Sequence, residues 1–293
     1  MHAASVRNAE AGGNRHNRLR TALGRLGAYL LLLSITVVFV APVGFMVSAS
    51  FKPDQKVLAA HGLQAFLPAE VTVENYRSVF QQLDFAHYLF NSVLIVGSIV
   101  LAGLVVNSLA GYALSRLQWR GRELVLGAVV VILVIPYEAV AVPLFFEMVI
   151  IGWTNSYRAQ IIPFIANPFS IYLFYTFFNG LPKELDEAAR MDRAGPVKTY
   201  LYVIAPLAKP AFASVAILTF LLHWGFFLWP LMVTRGAEFQ PLPVALGYFS
   251  SNKPVQWGDI MAFGTLMVAP VLVIFLVFQR AFVRGIAMAG LKG

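Results

Sequence analysis

Glu138 and Glu147 are the two side chains whose positions most demand a chemical explanation, because they are the only charges in the apolar stretch from 124 to 150. A carboxylate is costly in lipid, so each must face protein or water, and such acids serve proton relays, ion sites or aqueous paths. Paired acids also perform general acid–base catalysis. Nine residues apart on a helix, however, these two do not share a face. Asn91, Asn107 and His223 are further polar groups within apolar stretches, and Trp224, Phe226, Phe227 and Trp229 offer rings that could stack on a solute. The same residue types also bond neighbouring helices or form interfacial belts, and both uses stay open. Other chemistries are absent. With no cysteine there is no thiolate nucleophile or cysteine-ligated metal. No span carries a histidine pair, and no G-x-x-x-x-G-K-[ST] phosphate loop or Gly-Lys pair occurs anywhere.

The elements that must hold these residues are membrane spans. The chain is 59% hydrophobic and 12% charged, with a mean hydropathy of +0.71, a composition outside the range of soluble domains. Stretches long enough to cross the hydrocarbon core run near 27 to 50, 88 to 113, 124 to 150, 159 to 180, 209 to 233 and 260 to 282. A cleavable signal peptide is the alternative for the first, with Val47-Ser48-Ala49 loosely resembling a cleavage site, but the stretch is too long for an ordinary h-region. Six spans put both termini on one side. That side carries sixteen basic residues against six acidic ones, whereas the other balances at six of each. The positive-inside rule then orients both termini to the cytoplasm. It also accounts for the net charge of +8 without nucleic acid.

Between the spans, Lys52 to His87 is too polar for lipid and is expected to form a lid-like outer connection. Thr234 to Asp259, with Pro241, Pro243, Pro254 and Trp257, reads as loop with a short interfacial helix. Prolines at 136, 143, 163, 168, 230 and 270 interrupt the spans, so the freed backbone groups need partners on neighbouring helices. On the cytoplasmic side, Leu181 to Asp192 predicts a short helix. Pro182 suits its first turn, and Glu184, Asp186 and Glu187 complement the positive end of its dipole. Lys183 with Glu187 and Asp186 with Arg190 are spaced four apart, as intrahelical pairs require. Ala188 and Ala189 leave a low-relief patch.

Glu187-Ala188-Ala189, followed at a fixed interval by Val203-Ile204-Ala205-Pro206, resembles the EAA loop of binding-protein-dependent ABC importer permeases. In that family the signature reads E-A-A, three residues, glycine, nine residues, then I-x-L-P. The spacing matches throughout, but Arg193 stands at the glycine and Ala205 at the leucine, so Gly195 is expected to supply the flexibility of the turn. Ile135-Pro136-Tyr137-Glu138 with Pro143, Leu228-Trp229-Pro230, Gln279-Arg280-Ala281-Phe282 and the ending Gly290-Leu291-Lys292-Gly293 resemble the maltose-type carbohydrate branch. Trp224-Gly225-Phe226 departs from it, since many members have an Asn and an acidic residue there.

The resemblance implies an all-α integral membrane fold: the six-helix transmembrane domain of a type I ABC importer at 27–283, with the EAA loop at 181–208. Cytoplasmic tails would occupy 1–26 and 284–293, and the protein would lie in a bacterial cytoplasmic (inner) membrane. It implies a transport subunit and not an enzyme, with no cofactor on this chain and with ATP and Mg on a partner. Glu187, Ala188, Ala189, Asp192, Arg193, Gly195 and Pro206 would couple it to two cytoplasmic ATPase subunits. The other partners would be a second homologous permease and an extracytoplasmic solute-binding protein landing on 52–87 and 235–258. The C-terminal residues would reach between the ATPases. Glu138, Glu147, Asn91, His223, Trp224 and Trp229 are the path candidates for a sugar or oligosaccharide. The alternatives are a glycerol-3-phosphate or polyol importer of the same type and, in another class, an ion-coupled secondary transporter.

Overall fold

The computed structural model describes the backbone of residues 2–59, 62–67, 70–251 and 254–290, and side chains for 24–59, 62–67, 70–251 and 254–278. The basic side chains before residue 24, Pro68, Lys253 and the side chains of the segment from Gln279 to Gly293 lie outside the described residues. In chain order the helices are α1 (His2–Ser50), α2 (Asp54–Val57), α3 (Glu74–Gln82), α4 (Phe85–Arg116), α5 (Arg122–Ile132), α6 (Tyr137–Ile150), α7 (Tyr157–Ile165) and α8 (Pro168–Asn179). Then follow α9 (Glu184–Met191), α10 (Pro196–Thr199), a π-helical turn (Tyr200–Ile204), α11 (Ala205–Leu207), α12 (Lys209–Trp224), α13 (Leu228–Val233), α14 (Leu242–Ser251) and α15 (Trp257–Gly290). No strand occurs among the described residues.

Contacts divide the chain into two units, Met1–Tyr76 with Trp257–Ala262, and Arg77–Gln256 with Phe263–Gly293. In the first unit, Gly24–Ser50 of α1 gives 27 residues of continuous apolar helix, about 40 Å at 1.5 Å per residue and ample for the hydrocarbon core. Leu30 to Leu33 are all more than half exposed, and Thr36 turns its hydroxyl back onto the Leu32 carbonyl at 2.8 Å. The surface is therefore apolar all round, as lipid requires. Beyond it lies a tight polar knot. The Asn75 amide donates to the carbonyls of Ser50 and Lys52 at 2.8 Å each, Gly258 N–H donates to Asp54 at 2.8 Å, and the Lys52 ammonium donates to the carbonyls of Gln64 and Ala65. Burial lowers the Lys52 pKa because desolvation disfavours the charged form.

The second unit is organised by α4. Its buried residues Asn91, Ser92, Ile95, Ile99, Gly103, Asn107, Ser108, Gly111, Tyr112 and Ser115 recur at three- and four-residue spacing, so one small, weakly polar face meets its neighbours, as helix packing in lipid favours. A Cβ on Gly111 would lie 2.6 Å from the Phe174 Cβ and 2.9 Å from the Tyr175 nitrogen. Only glycine allows α4 and α8 to approach this closely. The α7–α8 break at Pro168 is repaired from α4: Asn107 donates to the Ile165 carbonyl at 3.0 Å and accepts from Asn167 N–H at 2.9 Å. Asn167 in turn caps α8.

Two expected spans are not straight. The third divides at Leu133–Pro136 into α5 and α6, which are bent by 105°. Pro136 cannot extend a helix from preceding residues without losing a hydrogen bond. The fifth ends at Trp224, not at 233, and breaks through Gly225 before α13. At its other end α12 meets the 196–207 leg at 78°, so helix resumes from Pro196 within the expected loop. The 16 residues of α12 measure about 24 Å, short of the ~30 Å core. Among the described residues, α1, α4, α15 and the α7–α8 pair taken as one are long and apolar enough to span, and six spans result if each of the two bent pairs also counts as one.

Candidate functional site

The short helix expected after Leu181 is α9, and its acids Glu184, Asp186 and Glu187 occupy the first turn, where the dipole favours them. Its faces are unlike. Leu185, Asp186 and Ala189 turn inward, while Glu184, Glu187, Ala188 and Met191 are exposed. Ala189 is 6% exposed and Met191 85% exposed. The low-relief patch expected from both alanines is thus presented by Ala188 alone, and Met191 is a large apolar group on that face which the spacing around the alanines does not single out.

The end of α9 explains why the family signature asks for glycine where this chain has Arg193. Ala194 N–H donates to the Ala189 carbonyl at 2.9 Å and Arg193 N–H to the Arg190 carbonyl at 2.9 Å. This is the Schellman pattern, whose C′ residue must be left-handed. Arg193 is that residue, with φ 53°. Gly195, expected to supply the flexibility, sits instead at φ −74° and ψ 169°, and a Cβ added to it would meet nothing within 4 Å. That position has no need of glycine. Asp192 is the C-cap, donating its N–H to the carbonyls of Ala188 and Arg190. Further on, Ala205 N–H reaches back to the Tyr200 carbonyl in the π-helical turn. Pro206 follows, and a widened turn relieves the clash its ring would make with the Tyr202 carbonyl.

Asp186 does not pair with Arg190. It accepts from Arg116 at 2.7 Å, a partner contributed by the last residue of α4. The Arg116 side chain is 4% exposed and that of Asp186 19%. Sequence spacing along one helix could not reveal a partner seventy positions away.

The path candidates separate into two groups. Glu138 and Glu147 on α6 are exposed on the surface of this chain. In lipid such carboxylates require cover from another protein surface or from water. Asn91, His223, Trp224 and Trp229 are buried. Asn91 donates to the carbonyls of Glu238 and Gln240 and accepts from the Tyr157 hydroxyl at 2.6 Å, stitching α4 and α7 to the 234–241 segment. His223 bonds the Thr219 carbonyl at 2.8 Å. Trp224 donates to Met267 and Trp229 to Ala159, each at 2.9 Å, and Phe164 meets the rings of His223, Phe226 and Trp229 edge-on. The cavity beside them is about 10 Å³, room for about one water molecule. Trp229 is fully buried and offers no face to a sugar ring, while Trp224, 4% exposed, also borders an apolar cavity of about 440 Å³ with Ile217, Phe220 and Pro270. No group of three or more His, Cys, Asp and Glu side chains suited to a metal occurs among the described residues.

Residues 103–288 match the family described as binding-protein-dependent transport system inner membrane component. The chain is 33% identical over 268 residues to the arabinooligosaccharides transport system permease protein of Halalkalibacterium halodurans, covering 89% of this chain and 96% of the relative. It is 32% identical over 284 residues to the trehalose/maltose transport system permease protein of Thermococcus litoralis, covering 95% and 99%. Its fold resembles a chain of a bacterial ABC transporter involved in the import of the acidic polysaccharide alginate, with a TM-score of 0.77 at 24% identity and coverage of 89% and 96%.

Proposed function

The chain belongs to the binding-protein-dependent transport system inner membrane component family, and on that premise we propose that it is a permease subunit of an ATP-driven importer for a sugar or oligosaccharide. The relatives named for arabinooligosaccharides, trehalose and maltose support the cargo class. The protein is a multi-pass component of the inner membrane. It is not an enzyme: ATP and Mg are used by a separate ATPase, and a paired permease and an extracytoplasmic binding protein complete the assembly.

The observation that carries the mechanism is the outward face of α9, where Glu187, Ala188 and Met191 project from a helix closed by a Schellman turn. A rigid helix of that kind is what a mobile ATPase needs to push against. Glu187 would pair with a basic group on the ATPase, Ala188 would allow close approach and Met191 would supply apolar contact. Ala189, Asp192 and Arg193 would shape the turn, Gly195 would start the outgoing leg, and Pro206 would hold its bend. Glu138 and Glu147 would line the aqueous path or meet the second permease. Asn91, His223, Trp224 and Trp229 would form the scaffold behind them.

The charge imbalance supports cytoplasmic termini, with tails at 1–26 and 284–293, a transmembrane domain at 27–283 and its EAA loop at 181–208. Membership of the maltose-type branch is supported by the Leu228-Trp229-Pro230 and C-terminal segments. Reconstitution of the full assembly in proteoliposomes tests this reading, with ATP supplied only to the face bearing the 181–208 loop and binding protein only to the other. Uptake of labelled trehalose or arabino-oligosaccharide should require ATP and survive a proton ionophore. Uptake that ignores ATP but collapses with the ionophore would favour an ion-coupled carrier instead.

A further inference from the structure

Three residues on one face of α4, spaced four apart, hold both legs of the 181–208 segment. Ser108 shares a hydrogen bond with the Tyr200 hydroxyl at 2.7 Å, and the Tyr112 hydroxyl donates to the Pro196 carbonyl at 3.1 Å. These two fix the outgoing leg. Arg116 fixes the incoming one: it donates to Asp186 at 2.7 Å, to the Leu181 carbonyl at 2.7 Å and to the Pro182 carbonyl at 3.4 Å. Around them Tyr112, Phe174, Phe178, Tyr200 and Ile204 form one buried cluster. The segment is therefore bolted to α4 at three heights.

The chemistry of the Arg116 joint is poorly suited to stability alone. A buried ion pair returns little net free energy over an apolar pair of similar volume, and the Arg116 Nε is buried without a partner, which carries a further cost. What the planar guanidinium does supply is direction. One rigid fork fixes the start of α9 through Asp186 and the preceding backbone through Leu181 at once. We infer that Arg116 and Asp186 are positioning residues that make α9 and α4 one rigid body, so that force received by α9 moves α4 instead of tilting the short helix on its loop. This rests on the coupling reading of α9 proposed above.

This chain has no native cysteine, so the pair can be bridged uniquely within it before assembly with its partners. Arg116→Cys combined with Asp186→Cys removes the pair, and a short bifunctional maleimide then replaces it with a covalent strut. The unbridged double variant should insert and retain its ATPase, yet move about threefold to thirtyfold less sugar per ATP hydrolysed. Bridging should restore the ratio. A pair with only a structural role would lower assembly yield and leave the ratio in assembled complexes unchanged. An unchanged ratio without the bridge, or a ratio that bridging fails to restore, overturns the inference. Should the unbridged variant assemble too poorly to measure, Arg116→Met with Asp186→Leu, which leaves no buried charge unpaired, is predicted to assemble and to show the same loss. Failure of the unsubstituted transporter to couple uptake to ATP would remove the underlying reading itself, a result separable from all of these.

Discussion

Arg193 shows how one backbone angle can carry a family signature. The C′ position of a Schellman turn requires a left-handed residue, and a side chain there costs about 1–2 kcal/mol relative to glycine. This chain keeps the turn and accepts that cost, with φ 53° at Arg193. Arg193→Gly should therefore raise the stability of the purified permease by about 1 kcal/mol, read as a higher thermal midpoint in detergent, while Arg193→Val should lower it. A midpoint that falls on Arg193→Gly would mean the guanidinium makes a contact worth more than the strain. The departure at this position was legible in the sequence, but its consequence was not, because spacing alone does not distinguish Arg193 from Gly195 as the residue that turns. Asp186 was likewise legible as a helix-dipole acid, while its partner was hidden, since the four-apart rule considers only neighbours on the same helix.

Among the elements, α4 is the scaffold. It repairs the α7–α8 break through Asn107 and reaches α8 through Gly111. Gly111→Val should force the helices apart or displace Phe174, at a cost of about 1–3 kcal/mol typical of overpacking, and folded yield and thermal midpoint should both fall. Gly97→Val, on the same helix with nothing within 4 Å of its added Cβ and with a helix propensity close to that of glycine, is the control expected to leave both nearly unchanged. Equal effects of the two would show that helix propensity and not the close approach governs α4. Hydropathy found every apolar stretch because burial in lipid depends on composition over about 20 residues. It could not find the 105° and 78° bends, because direction after a proline is decided by what the chain then packs against. The tryptophans of the fifth stretch show the same limit: their residue type suits a stacking platform, but their N–H groups are committed to Met267 and Ala159.

At the scale of the whole molecule, the family gives the chain its partners, charge distribution supports the proposed orientation, and α9 is the surface proposed for the ATPase. Glu138 and Glu147 are exposed on this chain, so as the proposed path acids they would be met by another subunit or by water. Whether α9 receives the stroke of ATP hydrolysis is the central question, and Glu187→Lys tests it most directly. Glu187 is exposed and belongs to no ion pair among the described residues, so reversing its charge should leave insertion unchanged and lower the thermal midpoint only by its helix-dipole contribution, about 0.3–1 kcal/mol. The measurement is ATP-dependent sugar uptake by the reconstituted assembly, with co-purification of the ATPase from the same preparation. Loss of both is the predicted result; uptake and co-purification at unsubstituted levels would contradict it.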